Sequence, residues 1–148
     1  MGYTLVIGEA EINFDNDDGL ESSCSLTARS ERHDNAPAFG EPTDFTNERW
    51  PSYSAWSNFC AETGLEDVFY HNGGGHLRGG HPGCIPVEIE MQKRVRSALE
   101  AYKAAHPKAE ATYERESKIE GHLCRLVWLD YWVSWALENC ERPVFANS

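Results

Sequence analysis

The chain has 148 residues, 41% of them hydrophobic, five tryptophans and a net charge of −11. This length fits one domain with a real core, and the composition excludes a disordered chain. Residues 1–50 hold eleven acidic and three basic residues, so we expect no direct binding to nucleic acid or to an anionic membrane surface.

The N-terminal part predicts an antiparallel β-hairpin over residues 3–30. Residues 3–14 contain β-formers and a polar–apolar alternation, and residues 20–30 alternate weakly. Asp18-Gly19 between them is a strong hairpin-turn signal. Residues 31–52, rich in proline and polar side chains, predict a long loop.

Three helices are predicted in the rest of the chain, over residues 53–63, 86–105 and 117–139. Ser52 and Gly64 suit the ends of the first, and Pro86 suits the first turn of the second. The third is apolar on nearly every side, which is typical of a covered, central helix rather than a membrane span. We therefore expect a single α+β domain over residues 1–148, in which a hairpin or small sheet packs on three to four helices around the Trp-rich C-terminal helix.

Residues 71–86, between two predicted helices, form a glycine- and histidine-rich loop. It contains six glycines and four side chains that can bind zinc: His71, His76, His81 and Cys84. Their H-x4-H-x4-H-x2-C spacing matches no common structural zinc pattern, so zinc is one hypothesis beside a loop with exposed histidines. It would make the chain a zinc-dependent hydrolase or a zinc-stabilised module.

The same loop also suits an anion. Successive glycines can turn backbone N–H groups toward a phosphate or carboxylate, and the loop is predicted to lead into a helix N-terminus. His76, Arg78 and His81 would add positive charge. Trp50 and Tyr53, which lie between prolines and serines, could form an exposed stacking wall beside the loop. No P-loop or dinucleotide fingerprint is present.

Asp130 is a third candidate, because it lies in the most apolar segment of the chain. A carboxylate there is costly to bury unless it is paired. It predicts either a structural ion pair with an arginine or a ligand-binding carboxylate with a perturbed pKa.

A further pattern runs through residues 50–148. It consists of Pro51-Ser52-Tyr53-Ser54-x-Trp56-x-x-Phe59-Cys60, Thr63-Gly64-Leu65, His81-Pro82-Gly83-Cys84, Arg125-Leu126-x-Trp128-Leu129-x-x-Trp132-x-x-Trp135-Ala136-Leu137-x-Asn139-Cys140 and Asn147-Ser148. This pattern resembles small uncharacterised proteins of tailed phages and prophages. The resemblance implies expression in a bacterial cytoplasm and an accessory or counter-defence role, and it implies no catalytic residue.

No set of catalytic residues is complete, so the sequence favours a non-enzymatic, acidic binding protein. We expect its glycine- and histidine-rich loop to hold a host protein or a small anionic ligand. An alternative is an acidic DNA mimic that uses residues 9–48 to occupy a DNA-binding protein. Five widely spaced cysteines without a CxxC pair, and no signal-peptide pattern, predict reduced thiols in a cytoplasm. A homo-oligomer is compatible with the sequence.

Overall fold

The computed structural model describes residues 2–17, 21–38, 44–71, 76–111 and 117–148. The elements follow in the order β1 (Leu5–Asp17), β2 (Glu21–Ala28), β3 (Glu48–Arg49), α1 (Tyr53–Thr63), α2 (Glu66–Phe69), β4 (Gly83–Pro86), α3 (Ile89–Ala105), α4 (Lys118–Asn139) and β5 (Pro143–Asn147). This is the α+β fold that the sequence predicts.

The sheet is antiparallel, in the order β2-β1-β5-β4. Strand β3 pairs with Leu5 and Val6 at the start of β1. The predicted hairpin is present as β1 and β2, and β1 extends to Asp17, beyond the predicted end at residue 14. The predicted Asp18-Gly19 turn lies outside the described residues.

Three strands of this sheet were not predicted, and the first of them, β3, lies within the predicted long loop over residues 31–52. No strand is predicted in residues 141–148, but β5 lies between β1 and β4 in the sheet. Pro86 was expected in the first turn of a helix, yet it ends β4, and α3 begins only at Ile89. The local sequence favours a helix at Pro86 because proline suits the first turn of a helix. Pairing with β5, which is far away in the sequence, makes Pro86 part of a strand instead.

The sheet is curled. Strand β2 comes close to β4 and β5, which are not its neighbours in the hydrogen-bonded order. Val6, Ala28, Val144 and Ala146 form a small buried cluster on this side of the sheet, separate from the main core. Their small size lets the curled strands approach one another.

The main core forms around α4, as predicted. Trp128 and Trp132 are almost fully buried, and α4 packs against α3 and against β1. The Trp128 indole N–H donates to the carbonyl oxygen of Thr46 at 2.9 Å, so the helix also holds the end of the long connection. No helix of the described residues is long and apolar enough to cross a membrane.

Asn47 joins the long connection to the sheet. Its side chain is completely buried and donates through Nδ2 to the carbonyl oxygens of Ile7 and Arg29, both at 2.8 Å. Its Oδ1 accepts from the Glu31 N–H at 2.9 Å. One amide side chain thus satisfies three backbone groups, one in β1 and two in the segment that follows β2.

Helix α1 has the bounds predicted from its end signals. The Ser52 side chain accepts from the Ala55 N–H, and Gly64 ends the helix in the left-handed conformation at φ 75°. Trp56 and Phe59 face the core, as expected. This helix and the start of β1 bring Tyr53 and Tyr3 together, with ring centroids 4.7 Å apart.

Candidate functional site

The described ends of the glycine- and histidine-rich loop are held by backbone hydrogen bonds. The His71 N–H donates to the His76 carbonyl at 3.0 Å, and the Arg78 N–H donates to the Phe69 carbonyl at 2.8 Å. Residues 72–75, which include three of the six glycines, lie outside the described residues. The pairing of the flanks places His71 and His76 beside each other.

Gly79 serves a close crossing of two backbone segments. It has φ 83°, and a Cβ there would lie 2.3 Å from the carbonyl oxygen of Cys84. A Cβ on Gly83 would lie 2.0 Å from the carbonyl oxygen of Gly79. Glycine is thus required in this part of the loop for backbone packing, and the crossing directs His81 toward the C-terminal strand.

His81 is held by Asn147 at the end of β5. The Asn147 Nδ2 donates to the Gly80 carbonyl at 2.8 Å and contacts the Gly83 carbonyl at 3.4 Å. Since carbonyl oxygens only accept, the amide orientation is determined, and Oδ1 faces the Nδ1 of His81. Oδ1 can only accept, so Nδ1 carries the hydrogen, and in the neutral ring Nε2 keeps a free lone pair.

The imidazole of His81 lies between two tyrosine rings. The ring centroids of Tyr3 and Tyr53 are 5.0 Å and 5.7 Å from that of His81, and both rings are nearly perpendicular to it. The Tyr53 hydroxyl is 3.3 Å from Nε2, so Tyr53 is the donor in this long hydrogen bond. Asn147 and the tyrosines together fix both the tautomer and the position of the ring.

These residues form one wall of a pocket of about 630 Å³, named here the histidine pocket. Its described lining residues are Tyr3, Tyr53, His71, His76, Leu77, Gly80 and His81. Four of the predicted site residues are therefore brought together in this pocket: Tyr53, His71, His76 and His81. Among the described lining residues there is no carboxylate.

The predicted zinc set is not assembled. Cys84 packs against the small cluster on the other side of the sheet, and burial raises the pKa of its thiol, which opposes metal binding as a thiolate. No group of three or more His, Cys, Asp or Glu side chains in the described parts of the chain is placed to hold a metal ion. Side chains along β4 alternate between the two faces of the sheet, and this alternation points Cys84 away from the pocket that His81 lines.

Arg78 does not reach the histidine pocket. Its guanidinium donates to the Val68 carbonyl at 3.0 Å, and it lines a different, smaller cavity beside Arg94 and Asp67. Residues at the start of α3, Glu88, Glu90 and Met91, line this smaller cavity with Arg78 and do not line the histidine pocket. The predicted anion site at a helix N-terminus therefore lies apart from the histidine pocket and stays a prediction.

Asp130 and Trp50 also lie apart from the pocket. Asp130 pairs with Arg96 across α3 and α4, at 3.0 Å between Nε and Oδ1, which is the structural ion pair considered above. Trp50 is 54% exposed, as expected, but does not line the pocket. The helical periodicity of α4 predicts which residues share a face with Asp130, but it does not predict that Arg96 of α3 packs against that face.

His71, His76 and His81 are exposed, whereas His122 is buried in the core away from the pocket. The Nε2 of His122 contacts Glu62 Oε2, and Nδ1 has no hydrogen-bond partner among the described residues. Burial lowers the pKa of His122, and the contact with Glu62 opposes this only in part. The neutral ring therefore donates from Nε2 to Glu62, which ties α4 to α1.

The sequence does not single out Tyr3, which lines the pocket, or Asn147, which holds His81. Tyr3 belongs to the predicted β-forming segment, and Asn147 belongs to the terminal Asn-Ser pattern. Asn147 is 66 positions from His81 and only 3% exposed. The one local signal for Asn147 is that it ends a strand whose preceding residues are buried, because a buried amide requires hydrogen-bond partners.

No protein-family model matches this chain, and no curated protein or solved structure matches it either. The resemblance to phage proteins therefore stays a prediction.

Proposed function

We propose that the histidine pocket binds a small organic anion that has a planar, apolar portion. The observation that carries this proposal is the composition of the lining. Three histidines line the pocket without a carboxylate among the described residues, in a chain that contains 24 Asp and Glu residues. The net charge of −11 repels an anion in general, and the described lining residues add no carboxylate to that repulsion.

The geometry supports a ligand with two different ends. The rings of Tyr3 and Tyr53 and the side chain of Leu77 offer an apolar wall. The imidazoles of His71 and His76 offer N–H donors. Aromatic walls with a few convergent polar groups are the usual form of small-ligand sites.

A zinc-dependent hydrolase or a zinc-stabilised module would need a set of metal ligands that the described residues do not assemble. A host-protein partner, the DNA-mimic hypothesis for residues 9–48 and the cytoplasmic, phage-related setting stay predictions.

Titration with phenylacetate and with the neutral phenylacetamide, by calorimetry, tests the proposal. We expect phenylacetate to bind at least tenfold more tightly than phenylacetamide. The variants His71→Gln and His76→Gln should each weaken phenylacetate binding at least tenfold. His106→Gln, at the end of α3 outside the pocket, is the matched control and should bind like the wild type.

Two results would overturn the proposal. One is equal binding of the acid and the amide, which would show that charge is not recognised. The other is binding of neither probe. Native mass spectrometry of the purified protein is a separate readout, since a bound anion would appear as added mass that the His76→Gln variant lacks.

A further inference from the structure

We propose that the histidine pocket is catalytic, with His81 as a general base that enolises 2-oxo acids, and this inference rests on the anion binding proposed above. It goes beyond binding because Asn147 and Tyr53 hold His81 in one specific proton state. A ring that served only to attract an anion would need neither a fixed tautomer nor a free lone pair.

The hydrogen bonds of Asn147 are compatible with only one neutral tautomer of His81. The Asn147 amide must donate to the Gly80 carbonyl, so it must accept from His81 Nδ1. This bond persists whether Nε2 is protonated or not, because Nδ1 carries a hydrogen in both states. Proton transfer at Nε2 therefore requires no rotation of the ring, which is the preorganisation that general bases use. Asn147 is a positioning residue.

Tyr53 supplies the second group that the reaction needs. Its hydroxyl donates to Nε2 at 3.3 Å, which is long for a hydrogen bond and is readily exchanged for a ligand. Tyr53 is also 38% exposed, so its hydroxyl can turn toward a ligand in the pocket. A carbonyl oxygen that accepts from Tyr53 would leave Nε2 open to an adjacent C–H.

The reaction is an isomerisation in which all atoms are retained. Nε2 of His81 takes a proton from the carbon next to the ketone, and the electron pair of that C–H bond forms a C=C bond. The carbonyl π pair moves to the oxygen, where the Tyr53 hydroxyl stabilises the developing charge. The imidazolium then returns its proton to this oxygen, which gives the enol and restores neutral His81, and the reverse sequence gives the ketone.

Phenylpyruvate is the probe, because it combines a carboxylate, a ketone with an acidic C–H and an aromatic ring. Proton NMR in D2O follows the loss of its methylene signal, and free imidazole at the same concentration gives the uncatalysed reference. General-base catalysis in an organised site contributes about 10²–10⁴-fold. We expect the protein to exceed imidazole at least 100-fold, and His81→Gln to lose this excess.

Two further variants separate catalysis from folding. Tyr53→Phe keeps the ring but lacks the hydroxyl, so kcat should fall about tenfold with little change in KM. In Asn147→Ala, the ¹⁵N NMR spectrum of His81 should lose the single Nδ1–H tautomer that the wild type shows. An unchanged tautomer in this variant would overturn the role of Asn147, and near-ultraviolet circular dichroism reports whether each variant folds.

The outcomes distinguish this inference from the proposed function. If phenylpyruvate binds but exchanges no faster than with free imidazole, the pocket binds anions without catalysis, and the inference is overturned alone. Exchange that persists in His81→Gln overturns the assignment of the base. If neither phenylpyruvate nor phenylacetate binds, the proposed function fails and this inference fails with it.

Discussion

Asn47 gives the most decisive test of the fold, because one buried side chain satisfies three backbone groups. Replacement by alanine leaves the carbonyls of Ile7 and Arg29 and the N–H of Glu31 without the partners that Asn47 now provides. A buried polar group without a partner costs about 1–3 kcal/mol. Two of the three bonds lie partly exposed to water, which reduces their cost, so we expect a total loss of about 3–5 kcal/mol.

A loss of this size is measurable and large. Domains typically have a free energy of unfolding of about 5–15 kcal/mol, and for a chain of this size 1 kcal/mol shifts Tm by about 2–4 °C. Asn47→Ala should therefore lower Tm by roughly 10 °C, as measured by circular dichroism. Asn139→Ala is the matched control, because the exposed Asn139 amide makes a single bond to the Trp135 carbonyl, and it should change Tm by no more than about 2 °C.

Asn47→Asp provides a second test of the same reasoning. Aspartate keeps an oxygen that can accept from Glu31, but it places a second oxygen against the two carbonyls to which Nδ2 now donates. It should destabilise the protein at least as much as alanine does. If Asn47→Ala costs no more than Asn139→Ala, the three bonds do not hold the long connection to β1 and the argument is refuted.

Three further predictions follow from single positions. Gly79→Ala should lower the free energy of unfolding, measured in urea, more than Gly80→Ala does, and it should abolish phenylacetate binding. Both glycines have positive φ, but only at Gly79 would an added Cβ lie 2.3 Å from a backbone oxygen. Equal effects of the two substitutions would contradict the backbone crossing. Gly121→Ala, within α4 and with nothing within 4 Å of its added Cβ, should stabilise by about 0.5–1 kcal/mol, and a lower Tm would refute this. The lowered pKa of His122 means that the unfolded chain binds a proton near pH 6.5 that the folded chain does not, so the stability of the protein falls as the pH drops below that value. The Tm of His122→Gln should therefore fall less between pH 7.5 and 5.5 than the Tm of the wild type. An equal fall would exclude His122 as the cause.

The helices could be predicted well because their signals are local. Ser52 and Gly64 mark the two ends of α1, and the all-round apolar pattern of α4 predicts its central place. The sheet was harder to predict from the sequence, because β4 and β5 are short and form their hydrogen bonds with each other and, for β5, with β1. Pro86 shows the difference, because its local signal favours a helix and its pairing with Val144 makes it part of a strand.

The sequence by itself determined the class of fold, the central helix and the loop in which His76 and His81 lie. Only the tertiary structure decided which side chains share a site. The alternation of β4 turned Cys84 away, the contact between α3 and α4 took Asp130 into an ion pair, and β5 brought Asn147 to His81 across 66 positions. Periodicity along a chain specifies faces of single elements, whereas the partner of a face depends on contacts between elements far apart in sequence.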